Sequence, residues 1–433
     1  MATVLSADWV LPVEGPPIEG GAVAIEDGRI AAVGTAAELG AGTRYEGCAI
    51  VPGFVNAHSH LEYAVYAGFG DGLAFPPWLG LHVERKARQE PGDALAIARL
   101  GAARCLESGI TTTADYSFTG AAATACSQLG LRATVYLEVF GSDPAGAIAQ
   151  FEAKRDALAE LDPTITIGIS PHAPYTCSLD VFEACTALGL PVGTHIAESE
   201  AEQEWLVHGR GQLELVRELV VEPTGETGTR MLAGRGLLGP HLLAAHCVHV
   251  DEEELGLLAS GGVGIAHCPR SNALLGCGFA PLTAFRAATA RVGLGTDSPA
   301  STPSFDMFEE LRGALMTARA RERRPDALSG TDALELATLG GARALGLDGE
   351  VGSLRPGKRA DLTVISLDAS PYIPWEDPAA AVVFGGSPGR VVATLVDGTT
   401  RFDRGGFEWH ALIDAARHAR SRMLRHAAAP SAT

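Results

Sequence analysis

Apolar and polar positions follow two different periods along this chain. Short alternating stretches, broken by turn residues such as Glu26-Asp27-Gly28, are typical of β-strands and fill the amino-terminal segment. The same pattern of short strand-like stretches returns late in the chain, in residues 360–365 and 391–396. We therefore predict that segments 1–52 and 350–404 together form one small β-domain.

Between these segments, apolar runs alternate with longer Ala-, Leu-, Glu- and Arg-rich stretches of helical spacing. This alternation is typical of parallel strands that are each followed by a helix. We predict that residues 53–349 form a (β/α)₈ barrel of the TIM type, an α/β fold with its active site at the carboxyl ends of the strands. The predicted strands end near His58, Asp115, Phe140, His172, His195, His246, His267 and Asp297.

Two further segments are assigned from their pattern. Apolar side chains near helical spacing between Trp409 and Met423 predict a surface helix in the terminal segment 405–433. Residues 222–236 are interpreted as an inserted loop of the barrel.

Composition and charge narrow the class of protein. The 46% hydrophobic content is enough for a large core, and the net charge of −19 disfavours nucleic acid and anionic membranes as partners. The sequence shows no leader pattern at its amino terminus and no run of about 18 uninterrupted apolar residues, so we expect a soluble cytoplasmic protein. The eight cysteines form no C-x-x-C pair, which disfavours disulfides and a cysteine-ligated zinc.

The strongest chemical signal is the pair His58 and His60 at the end of the first predicted barrel strand. Residues two apart on a strand project to the same face, so both imidazoles can bind one metal. Taken alone, an H-x-H pair is better explained by two partly exposed polar residues. The histidines and Asp297 at other strand ends favour a functional site, because a core has no need for so many polar groups on one face.

Six stretches of the chain resemble the adenosine/cytosine/triazine-type deaminase branch of the amidohydrolase superfamily. GSLRPGKRADLTVI, residues 352–365, also resembles the strand that completes the β-sandwich of that family. The six are VPGFVNAHSHLE, SPHAPYTCS, THIAESEAE, AAHCVHV, HCPRSNALLG and GLGTDSPAS.

The resemblance implies a metal site made of His58, His60, His195 and Asp297, with a water completing the shell. Nitrogen and oxygen ligands with one open position suit zinc, and iron or manganese fit the same ligands. Relatives with two metals use a carboxylated lysine as a bridge. No lysine of this chain lies at a predicted strand end, so we expect one divalent metal.

The resemblance also implies the catalytic groups. A divalent ion lowers the pKa of its water to about 7, so hydroxide is available near neutral pH. Asp297 accepts the proton of that water, and His246 hydrogen-bonds the attacking water and the tetrahedral intermediate. Glu198, three residues after His195, protonates the ring nitrogen and makes the ring carbon electrophilic. A role as outer support for another ligand is the alternative for His246, and a solvated loop acid is the alternative for Glu198.

Five further residues are predicted to contact the substrate. His172 and Trp78 resemble substrate-facing residues of the family, although either could simply pack. Glu62 gives an H-x-H-L-E form that resembles aminodeoxyfutalosine deaminases, and Arg270 and Ser301 are candidates for contacting a polar extension of the substrate.

These features predict a deaminase that releases ammonia from an aminopurine nucleoside of the adenosine, S-adenosylhomocysteine or aminodeoxyfutalosine type. Two alternatives stay open: a triazine- or imidazolone-type amidohydrolase that cleaves another C–N or a C–Cl bond, and a non-catalytic binding barrel. Similar barrels are commonly homodimers. Histidines outside the predicted strand ends are interpreted as surface residues, namely His82, His208, His241, His418 and His426.

Overall fold

The predicted barrel is confirmed by a computed structural model, which describes residues 3–288, 290–368, 370 and 372–425. Eight parallel strands follow one another around the barrel in chain order, as the alternating pattern predicts. They are β6 Phe54–Ser59, β7 Ile110–Ser117, β8 Arg132–Val139, β9 Ile165–Pro171, β10 Val192–Ile196, β11 Leu242–His246, β12 Gly264–His267 and β13 Arg291–Leu294.

Contacts between the first and last barrel strands close the ring. Asn56 Nδ2 donates to Thr296 Oγ1 over 2.8 Å, and the backbone N–H of Thr296 donates to Asn56 Oδ1 over 2.9 Å. The backbone N–H of Asp297 also donates to the His58 carbonyl over 3.0 Å. This seam therefore brings two predicted metal ligands together, His58 on the first barrel strand and Asp297 after the last one.

A second sheet contains the strands from both ends of the chain. Its hydrogen-bonded order is β16-β15-β14-β5-β1-β3-β4, with β2 paired to β1. The strands are β1 Thr3–Val10, β2 Ile18–Glu19, β3 Gly21–Glu26, β4 Arg29–Thr35, β5 Thr43–Pro52, β14 Leu362–Ser366, β15 Val391–Val396 and β16 Thr399–Asp403.

Helices surround the barrel, and the largest apolar cluster includes residues of both the barrel strands and these helices. Among the described residues, none of the helices is both long and apolar enough to cross a membrane. The helices are α1 Ala36–Leu39, α2 Phe75–Lys86, α3 Asp93–Glu107, α4 Ala121–Leu129, α5 Pro144–Asp156, α6 Leu179–Ala187, α7 Glu200–His208, α8 Gly228–Gly234, α9 Glu252–Ser260, α10 Pro269–Leu274, α11 Leu282–Ala287, α12 Met307–Glu322, α13 Gly330–Glu335, α14 Gly341–Leu345, α15 Pro378–Gly385 and α16 His410–Arg425. Short 3₁₀ segments are Leu61–Tyr63, Gln212–Leu219 and Pro388–Arg390, and Leu336–Gly340 is a π-helix.

One assignment from the sequence is corrected here. The stretch 222–236, predicted as a loop, contains helix α8, which begins after Thr227 because that side chain accepts a hydrogen bond from the Arg230 backbone. The predicted terminal helix is α16, while residues 426–433 of the predicted terminal segment lie outside the described residues.

A buried ion cluster joins the barrel to the second sheet. Arg132, the first residue of β8, donates to Asp361 over 3.0 and 3.1 Å and to Asp397 over 2.8 Å. Asp361 comes directly before β14, and Asp397 lies in the turn between β15 and β16. The guanidinium therefore depends on the carboxylates of the other sheet for its neutralisation.

We expect Asp361→Ala to lower the free energy of unfolding by about 3–5 kcal/mol, because it leaves the Arg132 charge buried with one partner fewer. Urea unfolding monitored by circular dichroism measures this. The control is Glu183→Ala, which breaks an exposed pair with Arg235 and should cost about 1 kcal/mol or less. Equal losses for both variants would contradict the structural role of the cluster.

Candidate metal centre and active site

Four of the predicted ligands converge at the carboxyl ends of the strands. Nε2 of His58, on β6, and Nε2 of His60, directly after β6, lie 3.5 and 3.6 Å from Oδ1 of Asp297. Nε2 of His195, on β10, lies 3.3 Å from Nε2 of His60. Ligand atoms around a tetrahedral zinc are about 3.3 Å apart, so these separations suit one metal.

Backbone carbonyls fix the tautomers of two of these imidazoles. Nδ1 of His60 donates to the Tyr116 carbonyl over 2.8 Å, and Nδ1 of His195 donates to the His172 carbonyl over 2.8 Å. Each Nε2 therefore carries a lone pair, and the two lone pairs face each other. A cation between them relieves that repulsion, as in other metal sites where the second ring nitrogen donates to a carbonyl.

The protonation states of the three histidines in the cluster also suit metal binding. Burial lowers the pKa of His58 and of His195, and it lowers the pKa of His60 to about 4, so all three imidazoles are neutral near pH 7. Neutral imidazole is the form that binds metal. Both ring nitrogens of the fully buried His58 lack a hydrogen-bond partner among the described residues, and a metal bound at Nε2 would satisfy one of them. The residues present therefore fit one divalent metal.

Asp297 is held so that one of its oxygens faces the imidazoles. Ser271 and Ser301 each donate to Oδ2 over 2.6 Å, leaving Oδ1 toward the cluster. Burial by itself would raise the pKa of Asp297, but His58, His246 and His60 hold it well below the usual range. The carboxylate is thus charged at neutral pH.

The backbone near the cluster is strained and closely packed. Positive φ angles occur at His246 (73°) and Asp297 (55°), a conformation that costs of order 1–3 kcal/mol for a non-glycine residue. At Gly295, an added Cβ would lie 2.8 Å from the Cβ of His58, so only glycine fits beside that ligand. Such strain is common where surrounding structure holds a functional side chain in place.

Glu198 and His246 form the wall beside the cluster. Oε1 of Glu198 lies 3.6 Å from Nε2 of His246, while Nδ1 of His246 donates to Oδ1 of Asn272 over 2.9 Å. Burial, and then the charge of Asp297, raises the pKa of Glu198 well above its ordinary value. Burial lowers the pKa of His246. The pair therefore combines a protonated carboxyl with a neutral imidazole whose Nε2 accepts.

Glu202 fixes the loop that carries Glu198. Its carboxylate accepts from the backbone N–H groups of Ala197 and Glu198, each over 2.9 Å. These hydrogen bonds hold the loop after β10 against the start of α7, so that Glu198 points inward rather than into solvent.

A cavity of about 800 Å³ opens from the cluster toward α2 and the Gln212–Leu219 segment. This volume falls in the upper part of the range of small-molecule sites, roughly 300–1,000 Å³. Trp78 and His172, two of the predicted substrate contacts, both line it. Nε1 of Trp78 donates to the Ala300 carbonyl over 3.1 Å, and Nδ1 of His172 lies 2.8 Å from Thr176 Oγ1.

Three other predicted substrate contacts are not among the residues that line this cavity. Arg270 forms ion pairs with Glu309 and Glu310. Ser301 donates to Asp297, and Glu62 accepts from Ser117 and from the backbone and hydroxyl of Thr119. Their polar groups are committed to protein partners, so the geometry gives no support to direct substrate contact.

One histidine assignment is wrong. His82, predicted as a surface residue, is buried, lines the cavity and packs against Trp78 with ring centroids 4.4 Å apart. The prediction failed because the side of α2 that faces the barrel cannot be read from its weak periodicity. The other histidines assigned to the surface, His208, His241 and His418, are exposed, while His426 lies outside the described residues.

Sequence reasoning also missed Glu138, Lys86 and Asn272. Glu138 lies one residue before the end of β8 and is 2% exposed, and both it and Lys86 line the cavity. An acid within an apolar strand that ends at the active face was a usable signal for Glu138. Asn272, which orients His246, lies within the HCPRSNALLG motif. It was missed because the sequence does not show that His246 is its hydrogen-bond partner.

Comparison with known proteins agrees with this architecture. The Amidohydrolase family matches residues 49–401, and an imidazolonepropionase-like composite domain of bacteria matches residues 21–41. The chain therefore belongs to the amidohydrolase family.

Curated relatives align over most of the chain. A 5-methylthioadenosine/S-adenosylhomocysteine deaminase of Symbiobacterium thermophilum is 34% identical over 413 residues, covering 91% of this chain and 92% of the relative. A 5′-deoxyadenosine deaminase of Methanothermobacter thermautotrophicus is 32% identical over 395 residues, covering 88% and 89%. These names support deaminase chemistry within the family.

Solved structures share the fold. An adenosine deaminase from Xanthomonas campestris with bound zinc superposes with a TM-score of 0.85 at 29% identity, covering 98% of each chain. A zinc complex of atrazine chlorohydrolase from Arthrobacter aurescens gives 0.82 at 22% identity, covering 97% of this chain and 100% of the other. The second likeness shows the fold alone.

We expect Asp297→Asn to reduce bound metal to well under half of the wild-type content, because the amide keeps the shape of the side chain but loses the charged ligand oxygen. Elemental analysis after dialysis against a weak chelator measures the metal per chain. Asp326→Asn, at an exposed loop acid, should retain the wild-type content. Full metal retention in Asp297→Asn would remove Asp297 from the ligand set.

Proposed function

We propose that this chain is a metal-dependent hydrolytic deaminase that releases ammonia from an aminopurine nucleoside of the adenosine type. The observation that carries the proposal is the buried Glu198 beside His246 and the ligand cluster, with a pKa raised well above its ordinary value. A protonated carboxyl at this place supplies the acid that ring deamination needs. The names of the relatives support the adenosine-type substrate.

His58, His60, His195 and Asp297 are proposed to hold one divalent metal, and zinc is favoured by the likeness to the zinc-bound adenosine deaminase structure. When bound there, a divalent metal lowers the pKa of water so that hydroxide is available near neutral pH. The hydrogen bonds from Ser271 and Ser301 keep the Oδ1 atom of Asp297 in the cluster.

The remaining steps follow from the proton positions. Glu198 donates its proton to a ring nitrogen, which makes the carbon that bears the amino group electrophilic. Asp297, charged because its pKa is low, accepts a proton from the attacking water and passes it to the amino group, which leaves as ammonia. Glu198 then takes back a proton from the hydroxyl group left on the ring carbon, which gives the 6-oxo product. His246 accepts a hydrogen bond from that water at Nε2, because Asn272 fixes the proton on Nδ1. The acid and base thus begin in opposite protonation states, as two-group acid–base catalysis requires.

The triazine- and imidazolone-type alternative has less support. Likeness to the triazine-cleaving enzyme rests on 22% identity, and the imidazolonepropionase-like match covers only a short segment of the second sheet. The non-catalytic alternative has less support, because His58, His60 and Asp297 lie in one group of possible ligands and His195 Nε2 lies 3.3 Å from His60 Nε2.

We further propose that the enzyme acts in the cytoplasm on a small molecule, without nucleic acid or membrane partners, and as a homodimer. The net charge of −19 supports the first part, because it repels anionic surfaces. The domain division proposed from the sequence, with 53–349 as the catalytic barrel, is supported by the strands of both sheets.

We expect Glu198→Gln to lower kcat about 100- to 10,000-fold, because the amide keeps the shape of Glu198 but cannot donate the catalytic proton. Ammonia release from adenosine, 5′-deoxyadenosine and 5′-methylthioadenosine measures this, together with metal content. The control is Glu200→Gln, an exposed neighbour at the start of α7. Unchanged turnover in Glu198→Gln, with full metal content in both proteins, would contradict the acid role.

A further inference from the structure

The carboxylate of Glu138 lies on the cavity wall and is not satisfied by the protein. The side chain is 2% exposed and lines the cavity. Among the residues that the structure describes, none donates a hydrogen bond to this carboxylate, and no basic nitrogen lies within 4.0 Å of it. Nζ of Lys154 donates to the backbone carbonyl of Glu138 instead. Because a buried acceptor without a donor is costly, a molecule bound in the cavity is the expected source of donors.

The charges around Glu138 indicate that those donors are neutral. Burial lowers the pKa of Lys86 and of Lys154, and the charge of Glu138 opposes that lowering at both lysines. Glu62 opposes it as well. Two acids therefore already face two ammonium groups, and a cationic ligand group would add an unbalanced buried charge. A neutral donor satisfies the carboxylate and leaves this balance unchanged.

A second metal ion is the main alternative ligand at this position. Glu138, His172 and His195 each offer one atom within 4.8 Å of the others, a spacing that suits an ion. Both ring nitrogens of His195 are already used, however, because Nδ1 donates to the His172 carbonyl and Nε2 belongs to the ligand cluster. Burial and then the charge of Lys86 lower the pKa of His172, so an ammonium group already lies near it. These contacts favour a neutral hydrogen-bonded ligand over a second cation.

The chemistry of an adenosine-type substrate identifies the matching donors. An adenine substituted at N9 has acceptors at N1, N3 and N7, and its one donor is the amino group that leaves. The other donors of adenosine are its sugar hydroxyls, of which 5′-deoxyadenosine keeps those at 2′ and 3′. Two neighbouring hydroxyls match the two acceptor oxygens of one carboxylate.

We propose that Glu138 accepts hydrogen bonds from the 2′ and 3′ hydroxyls of the substrate ribose and thereby sets the sugar specificity. This inference rests on the proposed function, to which it adds a specificity-determining residue. Glu198 and His246 belong to the β10 and β11 side of the barrel mouth, whereas Glu138 and His172 belong to the β8 and β9 side. The ring and the sugar of one nucleoside thus contact different walls of the same cavity.

The test compares adenosine with 2′,3′-dideoxyadenosine, which lacks both hydroxyls and keeps the same base. Ammonia release is measured with metal-loaded wild type, Glu138→Gln, Glu138→Asp and Glu152→Gln. Glu138→Asp keeps the charge balance with the two lysines but withdraws the carboxylate by one methylene group. Glu152→Gln is the control, because Glu152 is an exposed acid on α5 outside the cavity lining.

We expect wild type to prefer adenosine about 100-fold in kcat/KM, because the dideoxy compound leaves the buried carboxylate unpaired. Glu138→Gln should lower kcat/KM for adenosine about 10- to 100-fold and leave the dideoxy compound within about 3-fold. Glu138→Asp should also lose most of the preference, and Glu152→Gln should keep all of it. Equal losses for both compounds in Glu138→Gln, or a preference that survives in both Glu138 variants, would overturn the proposal.

Calorimetry with inosine and 2′,3′-dideoxyinosine separates this inference from the proposed function. Tighter binding of inosine by wild type, lost in Glu138→Gln at unchanged metal content, supports the Glu138 site even if no compound releases ammonia. Ammonia release from both substrates at equal efficiency in wild type leaves the deaminase standing and overturns the Glu138 site. A second metal per chain in wild type, absent from Glu138→Gln, would overturn the sugar assignment in favour of a metal site.

Discussion

The site depends on one constraint: neutral imidazole nitrogens are aimed at one another inside a barrel where protein atoms do not satisfy them. The carbonyls of Tyr116 and His172 accept hydrogen bonds from the Nδ1–H groups of His60 and His195. The two Nε2 atoms therefore carry lone pairs, and they face each other 3.3 Å apart. Unpaired buried polar groups are costly. The barrel seam at Asn56 and Thr296 holds this arrangement closed. A divalent cation bound between these nitrogens would satisfy their lone pairs and remove the free-energy cost of burying them unpaired.

The same burial separates the proposed acid from the proposed base. Glu198 and Asp297 are both buried carboxyl groups, yet their pKa values move in opposite directions. Glu198 has burial and a neighbouring negative charge, whereas Asp297 is surrounded by imidazoles that outweigh burial. One end of the cavity thus contains a proton donor and a proton acceptor at the same pH, without any strongly basic side chain.

Much of the architecture could be predicted from the sequence, because strand periodicity and the H-x-H spacing are local. The eight barrel strands end at or near the predicted residues, and the β segments at both ends of the chain join one sheet. The role of Arg270 could not be predicted, because its partners Glu309 and Glu310 lie about 40 residues away and only folding brings them near. His82 and Lys86 were missed because the inward face of α2 is decided by packing against the barrel. The position of α8 was missed because one short helix, begun by Thr227, has too few turns to show a period.

The most direct measurement is the conversion of 5′-deoxyadenosine by protein that holds about one metal per chain, with ammonia and the 6-oxo product quantified together, before and after chelation. We expect one ammonia for each 6-oxo product, loss of both on chelation, and recovery when zinc is restored. Product formation that persists in fully metal-free protein would contradict a metal-dependent deaminase. So would an absence of ammonia from every aminopurine nucleoside tested with the loaded enzyme.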